Sequence, residues 1–261
     1  MQQLRLFFIA LQFFTRLPIP RWVGFQPEWL HHASRYFPLV GCVVAAVAAA
    51  VYLLAALVLP APLAAVLSTA ASIYVTGAFH EDGFADSCDG LGGGLTRERV
   101  LEIMKDSRIG AYGAIGIVCM LGVKCTALAL LPPISAIAAL FVAHPLSRLA
   151  ATSLIWRMEY ARAEGKAKPL AQEMTNTEFA IAALTALLPG AALVASGLLT
   201  LTVLGACLLA AALSALWLAR KFQARLQGYT GDCLGAVQQL AEVAIYLVVV
   251  ASLGQGALAS A

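Results

Sequence analysis

Seven stretches of about twenty mostly apolar residues run along this chain, each long enough to cross a hydrocarbon core about 30 Å thick. They fall at roughly 38–59, 62–80, 109–131, 134–154, 179–197, 199–219 and 235–256, with short breaks at Pro60-Ala61-Pro62, at Leu131-Pro132-Pro133 and after Pro189-Gly190. Composition agrees: 61% of residues are hydrophobic and 12% charged, against about 45–50% and about 25% in a soluble domain. That excludes a water-soluble globular enzyme and a disordered chain. A net charge of +3 is too small for a polyanion-binding face, so no nucleic-acid partner is expected. The expected fold is all-α: a polytopic membrane helix bundle of about seven transmembrane helices, forming one integral-membrane domain over residues 1–261.

The bases orient it. Arg5, Arg16, Arg21 and Arg35 precede the first span; Arg97, Arg99, Lys105 and Arg108 follow the second. Arg157, Arg162, Lys166 and Lys168 follow the fourth, and Arg220, Lys221 and Arg225 the sixth. Fifteen of the 17 Lys and Arg residues therefore share one side of a seven-span topology, the asymmetry of a cytoplasmic face. The N-terminus is expected inside and the protein in the inner membrane. Residues 1–37 read as an N-terminal interfacial segment, with Leu4, Phe7, Phe8, Leu11 and Phe14 on one helical face and Leu17-Pro18-Ile19-Pro20 ending it. The run Phe7–Phe14 is too short, and has no cleavage site after it, to be a signal peptide.

The acids locate the chemistry. Seven of 14 lie between residues 81 and 106, and the five aspartates are Asp82, Asp86, Asp89, Asp106 and Asp232. If the second helix continues, Asp82, Asp86 and Asp89 sit at i, i+4, i+7 on one face. Carboxylates so close repel unless a cation neutralises them, and hard oxygen donors suit Mg²⁺ or Mn²⁺. Residues 81–108 thus read as an acidic catalytic loop facing the cytoplasm. Gly90 and Gly92-Gly93-Gly94 are expected to end the acidic helix, and Thr96 to cap a short helix reaching Asp106. Lys105 and Arg108 are candidates to hold phosphate charge. Asp232 opens the last span, where it either complements the helix dipole or joins the acids across the bundle. Lys124, His144, Arg148, Gln239 and Glu242 lie within spans, where an ion pair of Glu242 with Lys124 or Arg148 is as well founded as a substrate role.

Several blocks in fixed order carry a family resemblance. Phe79-His80-Glu81-Asp82-Gly83-Phe84-Ala85-Asp86-Ser87-Cys88-Asp89-Gly90 resembles the signature of the cobalamin synthase, or adenosylcobinamide-GDP ribazoletransferase, family. Leu101–Gly113 and Thr230–Ala236 are similar to its second and third blocks, and Phe14–Pro20 and Tyr36–Gly41 match near the start. The resemblance implies a Mg²⁺-dependent phosphotransferase of cobalamin biosynthesis. It joins adenosylcobinamide-GDP to α-ribazole, or its 5′-phosphate, and releases GMP. On that reading Asp82, Asp86 and Asp89 bind Mg²⁺, with Glu81 as a lesser candidate because many relatives are apolar there. Asp106 or Asp232 completes the metal site or orients the ribazole hydroxyl, Lys105 and Arg108 steady the pyrophosphate, and His80 relays a proton or simply packs. Membrane lipid is a partner, and a homo-oligomer or a complex with other cobalamin-assembly enzymes is compatible with the sequence.

Two other functions fit part of the pattern. Asp86-x-x-Asp89-Gly90 opens like the motif of CDP-alcohol phosphotransferases, but the rest of that motif is missing. A cation-coupled transporter would place its carboxylates near mid-membrane, whereas here they gather at one edge.

Overall fold

The computed structural model describes residues 1–162 and 174–259, so Lys166 and Lys168 lie outside the described residues. The elements are helical: α1 Gln2–Phe14, α2 Pro27–Ala33, α3 Phe37–Ala56, α4 Ala61–Thr76, α5 Phe79–Gly93, α6 Arg97–Ile103, α7 Ala111–Leu130, α8 Pro133–Arg157, α9 Asn176–Ala195, α10 Leu201–Leu226 and α11 Gly231–Ala259. Proline stands in the first turn of α3, α4 and α8, where its missing N–H costs nothing. Thr96, Thr175 and Thr200 cap α6, α9 and α10, Thr175 forming a capping box with Glu178.

Six helices are long and apolar enough to cross a membrane; α8 and α11 are the most enclosed of them. The expected second span differs. It is not one helix over 62–80: α4 stops at Thr76, and α5 leaves at 90° to it. The cause is local. Gly77 and Ala78 are both left-handed, with φ +66° and +59°. Gly77 N donates to Tyr74 O and Ala78 N to Ile73 O, the paired bonds that close a helix on a left-handed residue. The left-handed φ is what favours glycine at 77, while a Cβ there would meet only the movable end of the Arg16 side chain, 2.9 Å from its Nε. With α4 and α5 taken as one bent span the total is seven.

The acidic segment is also more regular than a loop. α5 runs through Gly90 and Gly92 to Gly93, because Gly90 packs against Met104 and Val100 of α6, and Gly92 against the Tyr112 ring. α6 in turn ends at Ile103, leaving Asp106 outside it.

The helix ends that carry the bases meet at one end of the bundle. Arg97 donates to Leu226 O and Ala161 O, at 2.8 and 2.9 Å. Arg225 donates to Gly94 O, and Tyr229 N to Glu159 O at 3.0 Å. Arg35 and His32 both reach Glu178 at the start of α9. The N-terminal helix joins through Phe14, whose ring lies 4.4 Å from that of Phe37. Its buried side is Leu6, Ile9, Ala10, Leu11 and Phe14. Leu11 and Phe14 were expected there, but Leu4 is 47% exposed, because docking on α3 through Phe14 rotates it outward.

Candidate active site at the basic end of the bundle

α5 reaches its position by close backbone packing. A Cβ on Gly83 would stand 2.9 Å from the Asp232 backbone, and one on Gly235 would stand 2.9 Å from His80 O. The two glycines let α5 and α11 touch, which carries Asp232 to the acids of α5. The helical spacing of Asp82, Asp86 and Asp89 is present, with Asp82 exposed, Asp86 half-buried and Asp89 buried.

Each acid has different company. Asp89 accepts from Gly110 N at 2.7 Å and Gly113 N at 2.8 Å, so both its oxygens complement the N-terminus of α7. Asp232 accepts from Arg162 Nη2 at 2.8 Å, and Arg162 also donates to Met104 O. Among the described residues no donor reaches Asp82 or Asp86. The charges bearing on Asp86 are Asp232, Asp82 and Asp89, opposed by Arg162. Among the described residues the cluster therefore sets four carboxylates against one guanidinium.

Glu81 points elsewhere. Its Oε1 accepts from Gln239 Nε2 at 2.7 Å, and Gln239 Oε1 accepts from Lys124 Nζ at 2.8 Å. Lys124 Nζ lies 2.9 Å from Glu242 Oε1, one of the two pairings that the sequence offered beside a substrate role. Glu242 also accepts from Gln238 at 2.6 Å and Tyr246 at 3.0 Å, and His144 Nδ1 stands 3.5 Å from it. His80 and Arg148 line the same interior pocket. Glu81 belongs to this buried network, on the inward side of α5 next to the exposed Asp82. His80 is buried too, its ring stacked on Phe14 at 5.5 Å, which is the packing role.

The Lys105-Asp106-Ser107-Arg108 turn stands apart at the surface. Arg108 donates to Asp106 through Nε and Nη2, at 3.0 and 2.7 Å, and its backbone N–H bonds the same carboxylate. Those bonds hold the Asp106 carboxyl down at about 2. Asp106 stays ionised and is a weak proton acceptor in this arrangement. Lys105 is exposed. The structure therefore brings Asp82, Asp86, Asp89 and Asp232 together, pairs Asp106 with Arg108, and turns Glu81 and His80 inward. Sequence reasoning missed Arg162, counting it only as one basic loop residue, because nothing local separates it from Arg157.

The acid cluster fits a hard divalent cation. No three His, Cys, Asp or Glu side chains form a ready-made metal cage among the described residues. Mg²⁺, however, is usually held by one or two carboxylates with water and substrate phosphates. Asp82 and Asp86, which no donor reaches among the described residues, have the chemistry such a site needs.

Comparison with known proteins supplies independent information. The cobalamin-5-phosphate synthase family profile matches residues 6–250. An adenosylcobinamide-GDP ribazoletransferase of Leptothrix cholodnii is 50% identical over 248 residues, covering 93% of this chain and 94% of its own. Proteins of the same name from Shewanella frigidimarina and Ralstonia nicotianae are 44% and 46% identical, covering 96% and 95% of each chain. No solved structure matches.

Proposed function

The chain belongs to the cobalamin-5-phosphate synthase family, and we infer from that membership and from the site that it joins adenosylcobinamide-GDP to α-ribazole, or its 5′-phosphate, with release of GMP. The observation that carries the site assignment is the convergence of Asp82, Asp86 and Asp89 on α5 with Asp232 on α11, four carboxylates against Arg162 alone among the described residues.

The reaction needs three things from the protein. A hydroxyl oxygen of ribazole bonds to the phosphorus that carries the corrinoid. The anhydride P–O bond to the guanosine-side phosphate breaks, and GMP leaves with that electron pair. The hydroxyl proton passes to a base. Asp82 and Asp86 would hold Mg²⁺, which when bound supplies Lewis-acid neutralisation of the phosphate oxygens. Asp89, engaged with the α7 N-terminus, fixes the far end of α5. Of Asp106 and Asp232, Asp232 would orient the hydroxyl and take its proton once Arg162 turns from it to substrate phosphate, since Asp106 is tied to Arg108 at the surface. Arg162 is thus the cation for developing charge, with Lys105 and Arg108 as an outer fringe that attracts the anionic substrate. Glu81 and His80 stay out of the reacting set.

The basic end is the cytoplasmic face on this reading, and the membrane is the inner membrane, since the bases gathered there follow the positive-inside pattern. The test is incubation of purified membranes with adenosylcobinamide-GDP, α-ribazole and Mg²⁺. The expected products are the joined corrinoid and one GMP. Chelation should stop both, and added Mg²⁺ should restore them; GMP formation untouched by chelation would overturn the metal assignment.

A further inference from the structure

A second site lies away from the acids. α9 and α10 both pack along α8 but meet each other closely only at the remote end, where Leu204 sits against Gly190. Toward the basic end they part around a cleft of about 470 Å³. Leu146, Ala150 and Leu154 of α8 form its floor, and Ala211, Ala215 and Ala219 form a wall on α10. The alanines make the hollow. Leu208 to Ala219 is twelve residues, a rise of about 16 Å along the helix, room for roughly a dozen methylenes of an extended chain. Ser153 Oγ is already committed to Ala150 O at 2.6 Å, so the cleft offers a ligand apolar surface along its length.

Its mouth has the opposite character. Arg157 lines it, with its guanidinium 3.6 Å over the Trp156 ring, and that ring is stacked on Phe179 at 4.1 Å. Arg220 follows one turn after the lining residue Leu216. Arg157 and Arg220 form no ion pair among the described residues. Tryptophans prefer the headgroup level of a bilayer, so Trp156, beside Arg157, places the mouth at the depth of lipid phosphates.

We propose that this cleft binds one acyl chain of an anionic phospholipid, with the headgroup phosphate held at the mouth by Arg157 and Arg220. Each half of the site excludes a simpler ligand. Free phosphate leaves the apolar cleft unused, and a zwitterionic lipid brings its own cation to two basic side chains that have no acid partner among the described residues. A second copy of the chain would have to present acids at this depth.

The test uses the full-length protein in detergent, titrated with phosphatidylglycerol or phosphatidylcholine of matched chains and read by native mass spectrometry. Wild type should retain one phosphatidylglycerol with at least about tenfold preference. Arg157→Gln, at an exposed position, should lower that preference about fivefold, the effect of about one basic residue near anionic lipid. Ala212→Phe, on the exposed side of the cleft wall, should remove the retained lipid altogether. Equal retention of the two lipids by wild type, unchanged preference in Arg157→Gln, or efficient disulfide dimerisation of Leu216→Cys would overturn the proposal.

Discussion

Two groups of acids lie within a few turns of each other, and they differ in their cations. The inner group, Glu81 and Glu242, shares the bundle interior with Lys124 and Arg148, two charges of each sign. The outer group, Asp82, Asp86, Asp89 and Asp232, has Arg162 alone among the described residues. Burying an unpaired ion costs several kcal/mol, so the inner set is balanced and its amides, Gln238 and Gln239, stitch the charges together. At the rim water tolerates imbalance, and imbalance is what recruits a cation. Charge count, more than the number of acids, separates a structural cluster from a reactive one.

The comparison breaks most directly at Asp86. Asp86→Asn should lower GMP release about 10²–10³-fold, the scale on which a group stabilising transition-state charge is lost, with the thermal unfolding midpoint in detergent unchanged. Glu242→Leu should do the reverse in kind. It strands Lys124 in the interior at a cost of about 3–5 kcal/mol, seen as poor yield and a lowered midpoint. Adding Lys124→Met should recover much of that stability; if the double variant is no better than the single one, the balance is not what holds the inner group. Gly83→Val tests how the two groups are tied. Its side chain meets the Asp232 backbone, where a Cβ already stands 2.9 Å away. Overpacking of this kind costs about 1–3 kcal/mol, and separation of α5 from α11 should reduce turnover more than it raises KM. Thr96→Ala removes the Arg99 N–H cap on α6 and should cost about 1 kcal/mol, measured by chemical unfolding, while leaving the rim acids in place.

The sequence made most of this legible for physical reasons that differ by element. Long apolar runs reported the spans because nothing else survives in hydrocarbon. Sparse charges reported the two ends, since fifteen bases sort onto one of them. The i, i+4, i+7 spacing placed the aspartates on one face before any helix was seen. Other features depend on tertiary contact. The stop after Thr76 rests on a left-handed alanine after Gly77, and alanine otherwise favours helix. The continuation of α5 through its glycines rests on Met104, Val100 and Tyr112 closing over them. That Glu81 turns inward while Asp82 stays outside depends on Gln239, 158 residues away, and Arg162 gains meaning only through Asp232, 70 residues on.

Asp232 opens the last helix, while its companions Asp82 and Asp86 stand near the end of the first third of the chain. During synthesis the early acids are in place long before the residue that joins them, and the arginine that pairs with it comes nearly two-thirds of the way along the sequence. A chain cut short before α11 has no Asp232 and no α11 surface to receive Gly83, so it cannot bring the four aspartates together. The order of the residues thus ties the acid cluster to the insertion of α11, and until that helix is in place the cluster is incomplete.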